Sequence, residues 1–325
     1  MSQWFSLALF LYSSLSSVVA HSQTPKNVIL VLLDGVRWEE FYNGIDGKMD
    51  PAHSGEQIFQ TMNPLRDPHA LVLGPKSECQ TIHTSNWVTM SLPGYQSIFG
   101  GRTPWCFSND CGRAGPPTLF ETFIQRRFLE SSIALFASWK KIDLAAISSA
   151  GLKLGLTHWT HNIGMQAFDH PEHKKTNQLQ FQDLPQWNDA RKDVYTFEHA
   201  KLYLEREKPR LLTIQLVDSD EWGHLNHYPN YIKTLKQYDL WIADLIQTLG
   251  VMGEYGKNTM IIVSTDHGRG PDPSNWSDHG YQKGGKKVWL WTHGYTRAPQ
   301  DCLIPWTHSR IRRFIESILR KTSRT

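Results

Sequence analysis

The 325-residue chain has no excess of either charge: 34 Lys and Arg against 31 Asp and Glu leave a net +3. No basic stripe with interleaved aromatics stands out, so the footprint of a nucleic-acid binder is missing and no nucleic acid is expected as a partner. The basic clusters Arg310-Ile-Arg-Arg313 and Arg320-Lys-Thr-Ser-Arg324 read instead as the solvated face of a last helix. Cysteine is scarce, four in all, and the spacing does not suggest a thiolate zinc site. Beyond residue 20, no run approaches the ~20 apolar residues that a membrane-spanning helix needs. Internal repeats, low-complexity tracts and linkers are also missing. With 40% hydrophobic and 20% charged residues, the composition excludes a disordered chain and leaves a globular one.

What is present begins at the N-terminus. Trp4–Ala20 is an apolar run that loosens into small residues and ends Val-Val-Ala before His21, the shape of a secretory signal peptide spanning residues 1–20. No Lys or Arg precedes Lys26, so the charged start of such a peptide is lacking, and an uncleaved membrane anchor is the alternative. Export predicts a secreted or periplasmic protein, with residues 21–325 as one domain, and makes disulfides available. Cys106 and Cys111 can close a small loop, which would leave Cys79 with Cys302, one of three connectivities.

Residues 27–33 form a continuous apolar run of the kind found in strands buried on both faces. Similar runs recur at Ser132–Trp139, Leu211–Val217, Thr259–Ser264 and Lys287–Trp291. Helical patterns lie between them. The clearest is Pro229–Leu249, where Ile232, Leu235, Tyr238, Ile242, Leu245 and Leu249 share one stripe between a proline start and Gly250. The alternation predicts an α/β fold, a three-layer α/β/α sandwich with a mainly parallel central sheet. Residues 40–80 and 155–190 follow neither period and read as long loop regions.

In open α/β sheets, ligands sit beyond the carboxyl ends of the strands. Asp34-Gly35 follows the first run, Asp218-Ser-Asp-Glu-Trp-Gly-His224 the third, and Thr265-Asp-His-Gly268 the fourth; Ser277-Asp-His-Gly280 precedes the fifth. Each has an ordinary reading alone: a turn, an i,i+4 ion pair, a solvated loop histidine. Together they offer three Asp and three His, a donor set suited to two divalent cations. Ser91 opens Ser-Leu-Pro-Gly-Tyr-Gln-Ser-Ile-Phe-Gly-Gly101, which reads either as an N-capped helix or as a nucleophile at a helix N-terminus.

This ordered set (Val28-Ile-Leu-Val-Leu-Leu-Asp-Gly35, the Ser91 segment, Asp-x-x-Gly-His, Asp-His-Gly, His-Gly) resembles the alkaline phosphatase superfamily over residues 25–295, and most closely its nucleotide pyrophosphatase/phosphodiesterase and phosphoglycerate-mutase-like branch. The resemblance implies an alkaline-phosphatase-like fold and a hydrolase of phosphate esters: phosphodiester, pyrophosphate or phosphomonoester. It implies two divalent metal ions, zinc with manganese as the alternative, one held by Asp220, His224 and His279 and the other by Asp34, Asp266, His267 and Ser91. Ser91 would be the nucleophile and form a covalent phosphoserine. The branch commonly has Thr as nucleophile and Asn after the proline; here Ser91 and Gly94 stand there, and Thr89 lacks the spacing to Pro93. Tyr95 replaces the arginine of the sulfatase modification sequence. Lys140, Lys141 and Arg102 are the candidates for a cationic substrate clamp. Of the histidines at i,i+3 spacing, only His224 fits the ordered set; the others are expected in loops or at the surface. The competing functions are a phosphomutase or sulfatase-like activity on the same fold and a non-catalytic secreted metal-binding protein.

Overall fold

The apolar run Asn27–Leu33 is strand β1, every residue of it buried, in a computed structural model that describes residues 25–63 and 70–320. The signal peptide expected at residues 1–20 lies outside the described residues. The other strands are β2 (Val72–Leu73), β3 (Ile82–His83), β4 (Ile133–Ala137), β5 (Thr160–Ile163), β6 (Leu211–Leu216), β7 (Thr259–Thr265), β8 (Lys287–Val288), β9 (Leu290–His293) and β10 (Trp306–Thr307). Seven form one sheet in the order β2-β9-β7-β1-β6-β4-β5, parallel from β7 through β5, with β9 running antiparallel to both its neighbours. Strands β10, β3 and β8 make a small second sheet.

The alternation along β1 sets the layers. Val28, Leu30 and Leu32 face one core, shared with the helices Ser91–Gly100, Leu119–Gln125 and His308–Arg320. Ile29, Val31 and Leu33 face the other, shared with the helices Asp193–Glu207 and Tyr228–Val251. All six residues of the expected 229–249 stripe are buried there. A fully buried Leu or Ile side chain stabilises by about 1.5–3 kcal/mol, so these two faces supply most of the driving force for the sandwich.

Three features depart from the sequence reading. The run Lys287–Trp291 is not one strand: Trp289 stacks on Phe41 at 4.0 Å and 5°, and its indole N–H donates to Val36 O at 3.2 Å. Pinned there, Trp289 divides the run, so that β8 pairs with β3 while β9 pairs with β7. Residues 155–190 are not simply loop, for they contain β5 and the helix Lys174–Gln182. They lack an apolar period because their anchor is polar: buried Arg191 donates to Asn162 Oδ1 at 2.5 Å, Thr196 Oγ1 at 2.7 Å and Gln180 Oε1 at 3.2 Å. Finally, Arg312 does not lie on a solvated face. It donates to Gly100 O at 2.9 Å and Phe99 O at 3.3 Å, closing the C-terminal end of the Ser91 helix, where a cation complements the helix dipole. In residues 40–63, the Asp239 carboxylate accepts the N–H groups of Gln60, Thr61 and Met62, and buried Arg37 pairs with Glu40 and Asp46.

The cysteines pair as Cys79–Cys302 and Cys106–Cys111.

Candidate active site

Strand order and register bring the strand-end residues together. β1 lies between β6 and β7, and Leu33 is level with Leu216 on one side and Thr265 on the other. Asp34 and Asp266 therefore leave the sheet side by side. Gly35 turns away at φ +63° and its N–H donates to Asp266 Oδ1 at 3.1 Å. A Cβ on Gly35 would stand 2.3 Å from Asp220 Oδ1, so the site itself, and not only the turn, requires glycine there. From β6 the chain enters the short helix Asp218–His224, whose i,i+4 spacing puts Asp220 and His224 on one face, 3.0 Å apart between Oδ2 and Nε2. Ser219 Oγ donates to Asp34 O at 2.6 Å and fastens this helix to β1. His279 arrives on a separate loop and meets His224 at 3.1 Å between the two Nε2 atoms.

His267 is the centre of the cluster. Its Nε2 lies 3.5 Å from Asp34 Oδ1, 3.5 Å from Asp266 Oδ2 and 3.9 Å from Asp220 Oδ1, and its ring stacks on His279 at 4.0 Å. Ser91 reaches the same point: its Oγ is 3.2 Å from His267 Nε2 and donates to Asp34 Oδ1 at 3.4 Å. Ser91 is not the cap of its helix. Met90 is the N-cap, no side chain caps it, and Ser91 is the first helical residue. Of the first-turn donors, Leu92 N–H goes to Asn109 Oδ1 at 2.9 Å, Pro93 has none, and Gly94 N–H bonds Met90 O. The Ser91 N–H is left beside its own hydroxyl without a partner among the described residues.

The electrostatics of this cluster call for cations. Burial, and then the charges of Asp266 and Asp220, push Asp34 well above the usual carboxylate range. Burial and the Asp220 charge do the same to Asp266. Burial also acts against ionised Asp220, but Arg269 and His224 hold it well below that range. Burial lowers His267 and takes His279 to about 4, so both rings are neutral at pH 7 with a lone pair available. His224, its side chain 47% exposed at the mouth, is raised by Asp220. Asp266 Oδ2 is buried without a hydrogen bond. Ligand atoms of Asp220, His267 and His279 lie within 4.8 Å of one another, and so do those of Asp34, Asp266 and His267. Crowded carboxylates, neutral imidazoles and an orphaned carboxylate oxygen are a donor set that fits divalent metal.

The other expected residues fare differently. Lys141 is spent on Asn109 O at 2.9 Å and Asp110 at 3.1 Å. Arg102 follows the far, C-terminal end of the Ser91 helix, so it does not join the cluster. Lys140 is exposed and makes no side-chain contact with the cluster among the described residues. Thr89 is a support: its hydroxyl donates to Gly280 O at 2.5 Å, and its carbonyl meets His279 Nδ1 at 2.7 Å. His173 contradicts the surface expectation; it is buried and stacked on His199.

Sequence reasoning passed over four residues. Tyr95, noted only for the arginine it replaces, donates its hydroxyl to Asp34 Oδ2 at 2.8 Å and accepts from Gln215 Nε2 at 3.0 Å. Gln215 was visible as a lone amide in an apolar strand. Asn109 sits inside the Cys106–Cys111 loop, and Arg269 directly follows the Asp-His-Gly turn.

Comparisons with known proteins bear on the fold. The family model described as type I phosphodiesterase / nucleotide pyrophosphatase matches residues 136–283, a span with five of the seven clustered residues but neither Asp34 nor Ser91. No curated protein matches the sequence. Among solved structures, a magnesium-bound variant of the alkaline phosphatase from the Antarctic bacterium TAB5 superposes with a TM-score of 0.52 at 15% identity, over 91% of this chain and 98% of that one. The lipoteichoic acid synthase LtaP from Listeria monocytogenes gives 0.58 at 12% identity, over 90% and 72%. A 2-O GAG sulfatase gives 0.58 at 12%, over 91% and 71%. The resemblance drawn from the motifs holds: the chain has the fold of the alkaline phosphatase superfamily.

Proposed function

We propose that this chain is an exported hydrolase of phosphate esters that works through a covalent phosphoserine at Ser91. The observation that carries the reading is the position of the Ser91 hydroxyl, at a helix N-terminus and within 3.2–3.4 Å of His267 and Asp34. Asp220, His224 and His279 would hold one divalent cation, and Asp34, Asp266, His267 and Ser91 the other, zinc or manganese. Bound there, the cations would supply the positive charge that acidifies the serine hydroxyl and shields the phosphoryl oxygens. The chain does the rest. The Ser91 N–H and the side-chain amide of Asn109 are donors for a phosphoryl oxygen beside the nucleophile. The helix N-terminus favours the anion. Ser91 Oγ bonds to phosphorus as the ester oxygen leaves with a proton; water then cleaves the phosphoserine and returns the hydroxyl.

The charge of the surroundings favours diesters or pyrophosphates. Among the described residues, the one Lys or Arg side chain that contacts the seven clustered residues by ion pair is Arg269; it is fully buried, and its two terminal nitrogens are engaged by Asp220 and Ser277 while its Nε has no hydrogen-bond partner. A dianionic monoester would lack a free cationic partner. Two disulfides are consistent with export.

The test is kcat/KM of zinc-loaded protein on p-nitrophenyl phosphate, bis-p-nitrophenyl phosphate and p-nitrophenyl sulfate, beside Ser91→Ala. The diester should be fastest, and the variant should lose its turnover. Background rates on all three, or a variant equal to the wild type, would sink the reading.

A further inference from the structure

Arg269 is a fully buried arginine inside the candidate site. Its Nη2 donates to Asp220 Oδ1 and, at 2.8 Å, to Asp220 O; its Nη1 donates to Ser277 O at 2.5 Å. Ser277 lies two residues before His279 on the same loop, and the neighbouring Gly270 N–H bonds Asp278 O at 2.9 Å. Two motif glycines give way to the guanidinium. A Cβ on Gly223 would stand 2.4 Å from Arg269 Cζ, and one on Gly35 would stand 3.0 Å from Nε. The side chain is thus wedged between the Asp34-Gly35 turn and the helix carrying Asp220 and His224, with its tip on the loop carrying His279.

We propose that Arg269 is a positioning residue for one cation site, locking Asp220 and the His279 loop in the arrangement in which Asp220, His224 and His279 close on a single ion. This rests on the two-cation reading above. A carboxylate has two oxygens and a free rotor; Arg269 takes Oδ1, and Oδ2 is presented 3.0 Å from His224 Nε2. Partners behind a metal ligand that fix its orientation in this way contribute about 10–100-fold to metal affinity. The planar fork is essential, because a lysine ammonium is one point and cannot span Asp220 and Ser277 together. Charge alone predicts the opposite sign: a cation beside an ion site repels the ion, and removing it would tighten binding. The two accounts are therefore separable.

The experiment is a Zn2+ titration of the full chain, stripped of metal and in competition with a chromophoric chelator, for wild type, Arg269→Met, Arg269→Lys and Asp220→Asn. Wild type should take up two equivalents. Arg269→Met should weaken one of them by about 10–100-fold and spare the other. Asp220→Asn should weaken the same equivalent, and the double variant Arg269→Met/Asp220→Asn should cost less than the sum of the two, because both act through one carboxylate. Arg269→Lys keeps the charge without the fork and should remain at least about tenfold weakened; it also carries the test if Arg269→Met fails to fold by circular dichroism. Unchanged or tighter binding in a folded variant, full rescue by lysine, or equal weakening of both equivalents overturns the assignment. If wild type takes up no Zn2+, the two-cation reading fails and this role falls with it. If wild type takes up two and the variants match it, only the role of Arg269 fails.

Discussion

Asp193→Asn is the substitution whose cost the structure defines most closely. The Asp193 carboxylate is fully buried, and each oxygen accepts two hydrogen bonds. Oδ1 receives Val217 N–H at 2.8 Å and Ser138 Oγ at 2.5 Å; Oδ2 receives Asp218 N–H at 2.8 Å and Tyr238 OH at 2.5 Å. These donors come from the ends of β4 and β6 and from the long Tyr228–Val251 helix, so the side chain holds the segment that leads into Asp220. An asparagine keeps the shape but replaces one acceptor with an amide NH2. Whichever way it flips, two donors face two hydrogens. The hydroxyls can turn away, Ser138 to Thr196 Oγ1 at 2.7 Å and Tyr238 to Ser219 Oγ at 3.4 Å. A backbone N–H cannot, so one is orphaned at about 1–3 kcal/mol, and charge-assisted bonds weaken besides. The expected loss is about 3–5 kcal/mol, which lowers Tm by on the order of 10 °C. Urea denaturation read by circular dichroism measures it. Ser138→Ala, which removes one hydroxyl donor, should cost about 1 kcal/mol. If Asp193→Asn unfolds within about 1 kcal/mol of wild type, the carboxylate is not the clamp that its four bonds imply.

Three further outcomes follow from other parts of the molecule. The buried rings of His173 and His199 meet at 2.7 Å between their Nδ1 atoms, and burial lowers them to about 4 and about 3. The unfolded chain binds these protons near the ordinary value of about 6.5, so this contribution to stability is whole above that pH and declines as pH falls toward 4. Between pH 7 and pH 5, wild type should therefore lose about 3–4 kcal/mol more than His173→Gln/His199→Gln, measured by denaturation at each pH; parallel profiles would refute the buried-neutral assignment. Asn109→Ala should lower kcat/KM about 100-fold, with a stability cost of about 1 kcal/mol because the Leu92 N–H loses its acceptor; an unchanged rate would remove it from the site. Cys79→Ala/Cys302→Ala opens a link across a sequence separation of 223 and should cost about 5.4 kcal/mol by the loop-entropy relation, read by chemical denaturation, against about 2 kcal/mol for Cys106→Ala/Cys111→Ala. Equal losses would show that chain entropy is not what the longer bridge contributes.

The strands β1, β6 and β7 and the helix Tyr228–Val251 were legible because burial imposes patterns that a sequence displays: unbroken apolar runs for parallel strands covered on both faces, and a 3.6-residue stripe for a helix on one. The acidic and imidazole residues of the site were legible for a related reason. A parallel sheet sends its functional side chains to one edge, so Asp34, Asp220 and Asp266 announce themselves by following apolar runs. What stayed hidden is held by polar groups acting inside the protein. Residues 155–190 gave no period because Arg191 gathers them, and Arg312, which looked like one charge of a solvated face, closes the Ser91 helix. His173 and Arg269 were hidden for the same reason, since pattern reading sends charge to the surface, where most of it belongs. A buried guanidinium shows itself only through the space it takes. Here that trace lies in the sequence, in the glycines of Asp34-Gly35 and Asp220-x-x-Gly223-His224. The first passes for turn chemistry and the second has no turn to explain it. A glycine inside a helix is unfavourable by about 1 kcal/mol relative to alanine, and Gly223 is tolerated because a Cβ there would displace the arginine that orders the site.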